Sequence, residues 1–197
     1  VYCWPDAVLE GRAGGYPTEI RAIYNVGGNY VCTGSDVNRS IRAFERVELA
    51  VSHEYFLTPT ARCSDVVLPV TTFLEREDVV FPETNHLLYS HRAIEPVGNT
   101  RNDYTIFCQL ADRLGFGEEF SRGRSAGQWL ERFLQDSEVS DIDEFRRTGI
   151  YIGADQERCG LSDFVSDPDD HPLDTPSGRI EIASRPYAEL GFSEVPT

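Results

Sequence analysis

Three short stretches combine residue types able to hold an anionic, hydrogen-bonding ligand. The first is Gly27-Gly28-Asn29, where missing side chains let backbone N–H groups approach a phosphate or a flat heterocycle. A tight turn requiring positive φ accounts for the same glycines equally well. The second is Glu54, 26 residues after Gly28 and just past a strand-like run. An acid so placed accepts hydrogen bonds from ribose hydroxyls or from the donor edge of a base such as guanine. The alternative is a solvated strand-end carboxylate. The third stretch, residues 56–69, brings the Thr58 and Thr60 hydroxyls, the Arg62 guanidinium and the Asp65 carboxylate into a turn ahead of an apolar segment. Thr58 and Asp65 also suit simple turn capping.

These groups need a scaffold, and residues 1–116 supply strand-like and helix-like patterns in alternation. That order implies a mainly parallel sheet covered by helices, a three-layer, Rossmann-like α/β domain. Pro5-Asp6 opens a short helix ending near Gly14-Gly15, and residues 21–26 form a β-rich run stopped by the glycines, with a loop after them. Ser35 is expected to cap the next helix, with Val37, Ile41, Phe44 and Val47 as its apolar stripe. Asp36, in its first turn, would repel a phosphate at that N-terminus, so the loop backbone is expected to make the contact. Residues 49–53 form a second strand, and the whole is the size of a βαβ crossover. The near-continuous apolarity of residues 66–70 predicts a third strand with both faces covered, ended by Pro69.

Residues 79–81 and 87–94 read as an excursion of two irregular strands. A helix from Asn102 to a stop at Gly115, burying Tyr104, Phe107, Cys108, Ala111 and Leu114, completes the first domain. Residues 117–172 read as a helical, partly irregular extension and linker. In it Ser125 and Gln128 have capping-box spacing, and a short helix runs from Asp141 to Gly149. Residues 173–197 read as the start of a further domain, with a turn at 175–178 leading into an alternating strand over 179–183.

Composition removes several function classes. The formal charge of −15, with 18 basic residues that are all Arg, makes duplex nucleic acid a poor partner, although single arginines still suit forked anion recognition. No apolar run approaches the roughly 20 residues of a membrane-spanning helix, so no direct membrane insertion is expected. The five cysteines are spaced by 29, 31, 45 and 51 positions, which provides no CxxC pair for an iron-sulfur or structural zinc site. The four histidines also lack ligand spacing; His53, beside Glu54, is the one nearest the candidate groups. Met is absent and position 1 is Val, so the chain reads as a piece of a longer polypeptide or as a sequence from which some residues have dropped out.

In order along the chain, Gly27-Gly28-Asn29, Glu54, Thr58, Thr60-Ala61, Asp65, Val67-Leu68-Pro69 and Glu75 form a series. It resembles the second cofactor-binding domain of the molybdopterin oxidoreductases of the dimethyl sulfoxide reductase family. There, a strand ending in Gly-Gly-Asn precedes a helix and a strand with a terminal acid. Thr-x-Thr-Ala, Ala-Asp and Val-Leu-Pro follow, with a Glu soon after. Glu54 where many members have Asp, and Ser64 where Ala is common, are mild departures. The likeness continues through 93–96 and 102–104 to 173–181, which resembles the lead into the family's C-terminal β-barrel domain.

What the resemblance implies is a segment that binds part of a bis(molybdopterin guanine dinucleotide) cofactor carrying Mo or W. Gly27, Gly28 and Asn29 would lie at the phosphate or pterin, Glu54 at the guanosine, and Thr58, Thr60 and Asp65 in the surrounding loop network. It also implies that the metal ligand and an iron-sulfur cluster belong to an earlier part of the polypeptide, so no residue here is assigned as catalytic. The implied partners are the remaining domains of the same polypeptide and iron-sulfur electron-transfer and membrane-anchor subunits. Two other classes fit the same residues: a noncatalytic scaffold subunit of a respiratory complex, and a free-standing nucleotide-binding module.

Overall fold

A computed structural model describes residues 4–82, 85–154, 160–183, 188–189 and 191. The chain divides into two compact units, Val1–Gly153 and Ala154–Thr197.

The first unit opens with α1 (Trp4–Glu10), extended by a 3-10 turn that ends at Gly15 in the left-handed region. β1 (Ala22–Val26) runs to the glycine pair, and a one-turn helix, α2 (Tyr30–Thr33), stands where a loop is expected. α3 (Val37–Arg46) is capped by Asp36, not Ser35: the Asp36 carboxylate accepts from Arg39 N at 2.9 Å. An ionised acid at the positive end of a helix is a strong cap. The apolar stripe shifts accordingly. Val37 is exposed, while Ser40, Ala43 and Phe44 are buried and Ile41 and Val47 are half-buried.

β2 (Leu49–Glu54) pairs in parallel with β1, and α4 (Pro59–Arg62) leads to β3 (Val66–Pro69), parallel to β2 on its other side. Only β2, at the centre, is buried along most of its length. β3 departs from expectation, since Val66 and Val67 are exposed. It is an edge strand, with no fourth strand beside it among the described residues. On one sheet face Val31, Phe44 and Ala50 form a core joined by Trp4, Ile23, Ile41, Val47 and Cys63. Full burial of a side chain such as Val31 or Phe44 contributes about 1.5–3 kcal/mol.

A 3-10 turn (Phe73–Glu75) follows β3, and β4 (Asp78–Val80) pairs antiparallel with β5 (His86–Ser90). α5 (Asp103–Leu114) then packs Phe107 against Tyr24 and His53 on the other face of the parallel sheet. Asn102 caps it and Gly115, at φ 88°, ends it. Tyr104, Phe107 and Cys108 are half-buried and Ala111 is buried, but Leu114 is exposed because it lies in the last turn, past the sheet.

α6 (Gly117–Ser121), α7 (Ala126–Gln135) and α8 (Ile142–Thr148) follow, with the Ser125–Gln128 capping box and the Gly149 stop in place. β6 (Ile150–Ile152) returns to pair antiparallel with β5. Leu134, Val139 and Phe145 form a second core against this small sheet. The fold is therefore mixed α/β, a parallel sheet flanked by helices with a separate antiparallel sheet.

In the second unit, α9 (Ser162–Ser166) precedes the expected turn, where Gly178, at φ 69°, donates to the Thr175 carbonyl at 2.9 Å. The strand expected over 179–183 does not form. Ile180 and Ile182 are exposed, and no described strand satisfies their backbone groups.

Candidate functional site

The parallel register sets the three carboxyl-terminal strand ends side by side: Val26 is opposite His53, and Glu54 opposite Pro69. Adjacent strands lie about 4.8 Å apart, so the glycine turn, the acid and the loop after β3 share one ledge. Gly27 has φ 66°, and a Cβ built there would meet nothing within 4 Å. The position needs glycine for its conformation, and open space faces it. At Gly28 a Cβ would lie 2.6 Å from the Tyr30 ring, so the glycine lets that exposed ring pack against the turn.

A latch ties this turn to the next loop. The Thr60 hydroxyl donates to Asn29 Oδ1 at 2.9 Å and accepts from Val31 N at 3.0 Å, and its side chain is fully buried. Thr58 caps α4 by accepting from Ala61 N at 3.2 Å and donates to Glu54 Oε1, also at 3.2 Å. The half-buried Glu54 carboxylate thus has one oxygen engaged by Thr58, and its other oxygen has no hydrogen-bond partner among the described residues.

Beneath the ledge, Asn25 Nδ2 donates to the Gly28 carbonyl at 2.8 Å and to Ser52 Oγ at 3.3 Å. Ser52 Oγ in turn meets Ser64 Oγ at 2.7 Å. Two buried atoms close to this edge lack partners among the described residues: Asn25 Oδ1 and the hydroxyl of Thr71, two residues past β3. A buried polar atom left unpaired costs about 1–3 kcal/mol, so such atoms mark places where a partner from outside the chain would be stabilising. Neither residue figures among the sequence candidates. The available signal was a polar Asn inside an otherwise apolar strand and a Thr-Thr pair directly after Pro69-Val70.

The molybdopterin oxidoreductase family model matches residues 6–113, which include this whole ledge. The chain belongs to the molybdopterin oxidoreductase family. It is 35% identical over 196 residues to the dimethyl sulfoxide/trimethylamine N-oxide reductase of Rhodobacter capsulatus, a match covering 90% of this chain and 24% of that protein. Biotin sulfoxide reductase of Cereibacter sphaeroides is 32% identical over 94% of the chain and 26% of its own length. Trimethylamine-N-oxide reductase of Vibrio vulnificus (strain YJ016) is 34% identical over 80% and 21%. The chain thus spans about a quarter of the length of the curated relatives it matches. Acetylene hydratase from Pelobacter acetylenicus shares the fold, at TM-score 0.67 and 23% identity, over 98% of this chain and 26% of that one.

The family's cofactor is a molybdenum-bearing pterin, and the ledge suits a large, flat, phosphate-bearing group of that kind. It offers a side-chain-free turn with open space, an uncommitted carboxylate oxygen and two unpaired buried acceptors. Tyr55, Phe56 and Leu57, exposed directly after Glu54, give it an apolar rim.

Asp65 stands apart from the other sequence candidates. It precedes β3 at the opposite edge of the sheet, where its carboxylate accepts from Ala50 N at 2.7 Å. Glu75 is also committed internally: it accepts from Thr72 N at 2.7 Å and Val97 N at 2.6 Å, and these N–H groups hold its carboxyl below the usual range. His53 is buried under α5, bonded through Nδ1 to Asp103 and through Nε2 to the Tyr24 hydroxyl, each at 2.8 Å. Burial and the nearby Asp103 charge push the Tyr24 phenol up. Among the described residues no three His, Cys, Asp or Glu side chains are grouped so as to hold a metal ion.

Proposed function

We propose that this chain is the part of a molybdenum or tungsten oxidoreductase that grips the guanosine and phosphate end of a bis(molybdopterin guanine dinucleotide). The observation carrying this reading is the register that sets the Gly27 turn beside Glu54 on one ledge. The backbone of Gly27 and Gly28 approaches the phosphate region, and Asn29 extends that contact. Glu54 accepts from the guanine amino edge or the ribose hydroxyls through its uncommitted oxygen. Thr58 and Thr60 are positioning residues: the first orients Glu54, and the second fixes Asn29. Asp65 secures the far edge of the sheet. When bound, the cofactor supplies two-electron redox chemistry at its metal, and the protein sets position and electrostatics. In the intact enzyme that chemistry is a two-electron, oxygen-atom-transferring reduction like that named for the sulfoxide and N-oxide reductases it resembles. The remaining domains of the polypeptide close the site from the other side.

The test is the molybdenum content and the GMP released by acid hydrolysis, per mole of the purified full-length protein. Losing one charge-assisted hydrogen bond costs about 1.5–3 kcal/mol, roughly 10- to 100-fold in affinity. Glu54→Gln is therefore expected to lose most of its GMP and molybdenum on dialysis while its thermal midpoint in the cofactor-free form is unchanged. Full GMP content in Glu54→Gln and in Gly27→Val would rule the assignment out.

A further inference from the structure

A second cavity lies outside the ledge, on the face of the parallel sheet that α5 covers. It encloses about 520 Å³, within the range of small-ligand pockets, and none of Gly27, Gly28, Asn29, Glu54 or Thr58 lines it. Its floor is apolar, made by Leu68 and Pro69 of β3 and by Ile106 and Leu110 of α5. Its charged groups are of one sign, Arg101 and Arg113, with the neutral amides of Asn99 and Gln109 beside them and no carboxylate among the described residues that line it.

That composition is unusual for this chain. Acidic residues outnumber basic ones 33 to 18, and Arg21, Arg39, Arg76 and Arg147 each hold a carboxylate. Arg101 and Arg113 have no ion pair among the described residues. Arg101 is nevertheless fixed. Its backbone bridges to Val70, its N–H reaches the Pro69 carbonyl at 3.2 Å, and its Nη1 donates to Gln109 Oε1 at 2.7 Å, one α5 turn before Arg113. A guanidinium aimed by a neutral amide keeps its full charge for a third party. The hydroxyl of Tyr24, which also borders the cavity, is spent on His53, so the phenol serves as a wall.

We propose that this cavity binds a small organic anion, a phosphate or carboxylate head held between Arg101 and Arg113 with an apolar body lying on Leu68, Pro69, Ile106 and Leu110. The chain's net negative field does not prevent this at physiological salt, where screening acts over about 8 Å. The site is independent of the cofactor assignment and stands or falls separately from it.

Calorimetric titration of the full-length protein with phenyl phosphate, benzoate and uncharged benzamide tests the proposal. One phenyl phosphate or benzoate per chain is expected, with benzamide silent; the tighter of the two acids names the head group. Arg101→Gln, which keeps a donor for Gln109, and Arg113→Gln should each weaken binding at least tenfold, and Arg101→Lys should weaken it less. Failure of both acids to bind saturably, or unchanged affinity in both glutamine variants, overturns the proposal. So does a protein that ignores all three probes yet loses thermal stability in Arg101→Gln, because the arginines would then hold a carboxylate of the same polypeptide.

Discussion

The two ends of the parallel sheet are built from the same three strands and treat their polar groups in opposite ways. At the amino-terminal end, Asp65 accepts from Ala50 N and donates its own N–H back to the Ala50 carbonyl at 2.9 Å. Beside it Arg21 grips Glu48 with two bonds, of 2.7 and 2.6 Å. At the carboxyl-terminal end, Asn25 Oδ1 and the Thr71 hydroxyl are buried, and neither they nor one Glu54 oxygen has a partner among the described residues. The first edge is closed by folding alone, and the second is left open at the strand ends where α/β sheets hold their ligands.

The largest expected effect comes from breaking the one device that makes the open edge rigid. Thr60→Val keeps the side-chain volume but strands the buried Val31 N–H and leaves Asn29 Oδ1 with only the longer bond from Thr60 N, at 3.4 Å. A loss of about 3 kcal/mol follows, read as a lower urea midpoint at unchanged slope. Thr60→Ser, which keeps the hydroxyl, should recover most of it. A shift in Thr60→Val no greater than in Thr60→Ser would mean the ledge is held by something other than this latch.

Glu75 sharpens the contrast, because it sits just past β3 on the open side yet is fully spent. Backbone N–H groups of Thr72 and Val97 keep its carboxyl below its ordinary value of 4.5, so its contribution to stability is complete above that pH. It is lost as pH falls from 4.5 through the depressed folded value. A midpoint-versus-pH series should therefore show an acid limb that is shallower in Glu75→Gln than in the parent. Parallel limbs in the two proteins would place the acid-sensitive group elsewhere.

These distinctions were unevenly legible in the sequence. Helices announced by a cap and a stop were readable, as α5 between Asn102 and Gly115 and α8 between Asp141 and Gly149 show. So were the three strand ends, since Gly27, Glu54 and Pro69 each interrupt an apolar run. Non-local pairing was not readable. β6 is three residues long and finds β5 some sixty positions earlier, so no local pattern announces it. The apolarity of Val66 and Val67 describes a covered strand, yet both are exposed on an edge. Asp65 was misleading for a topological reason. It follows Thr58 and Thr60 closely in sequence, but a parallel crossover must return the chain to the opposite edge before β3 begins. The unpaired atoms of Asn25 and Thr71 depend on packing that spacing does not encode.

Asp65 also provides the smallest effect and the cleanest control. Asp65→Ala removes the acceptor of Ala50 N at the start of the central strand β2, but the departing Asp65 side chain is exposed, so water can replace the carboxylate. The expected cost is about 1 kcal/mol, with cofactor content unchanged in the full-length protein. Glu54→Gln has the opposite signature, unchanged stability with lost cofactor, so the two variants assign each end of the sheet its role by independent readouts. If Asp65→Ala released GMP as readily as Glu54→Gln, the two edges would be coupled through β2 and β3, and the division between a closed end and an open one would fail.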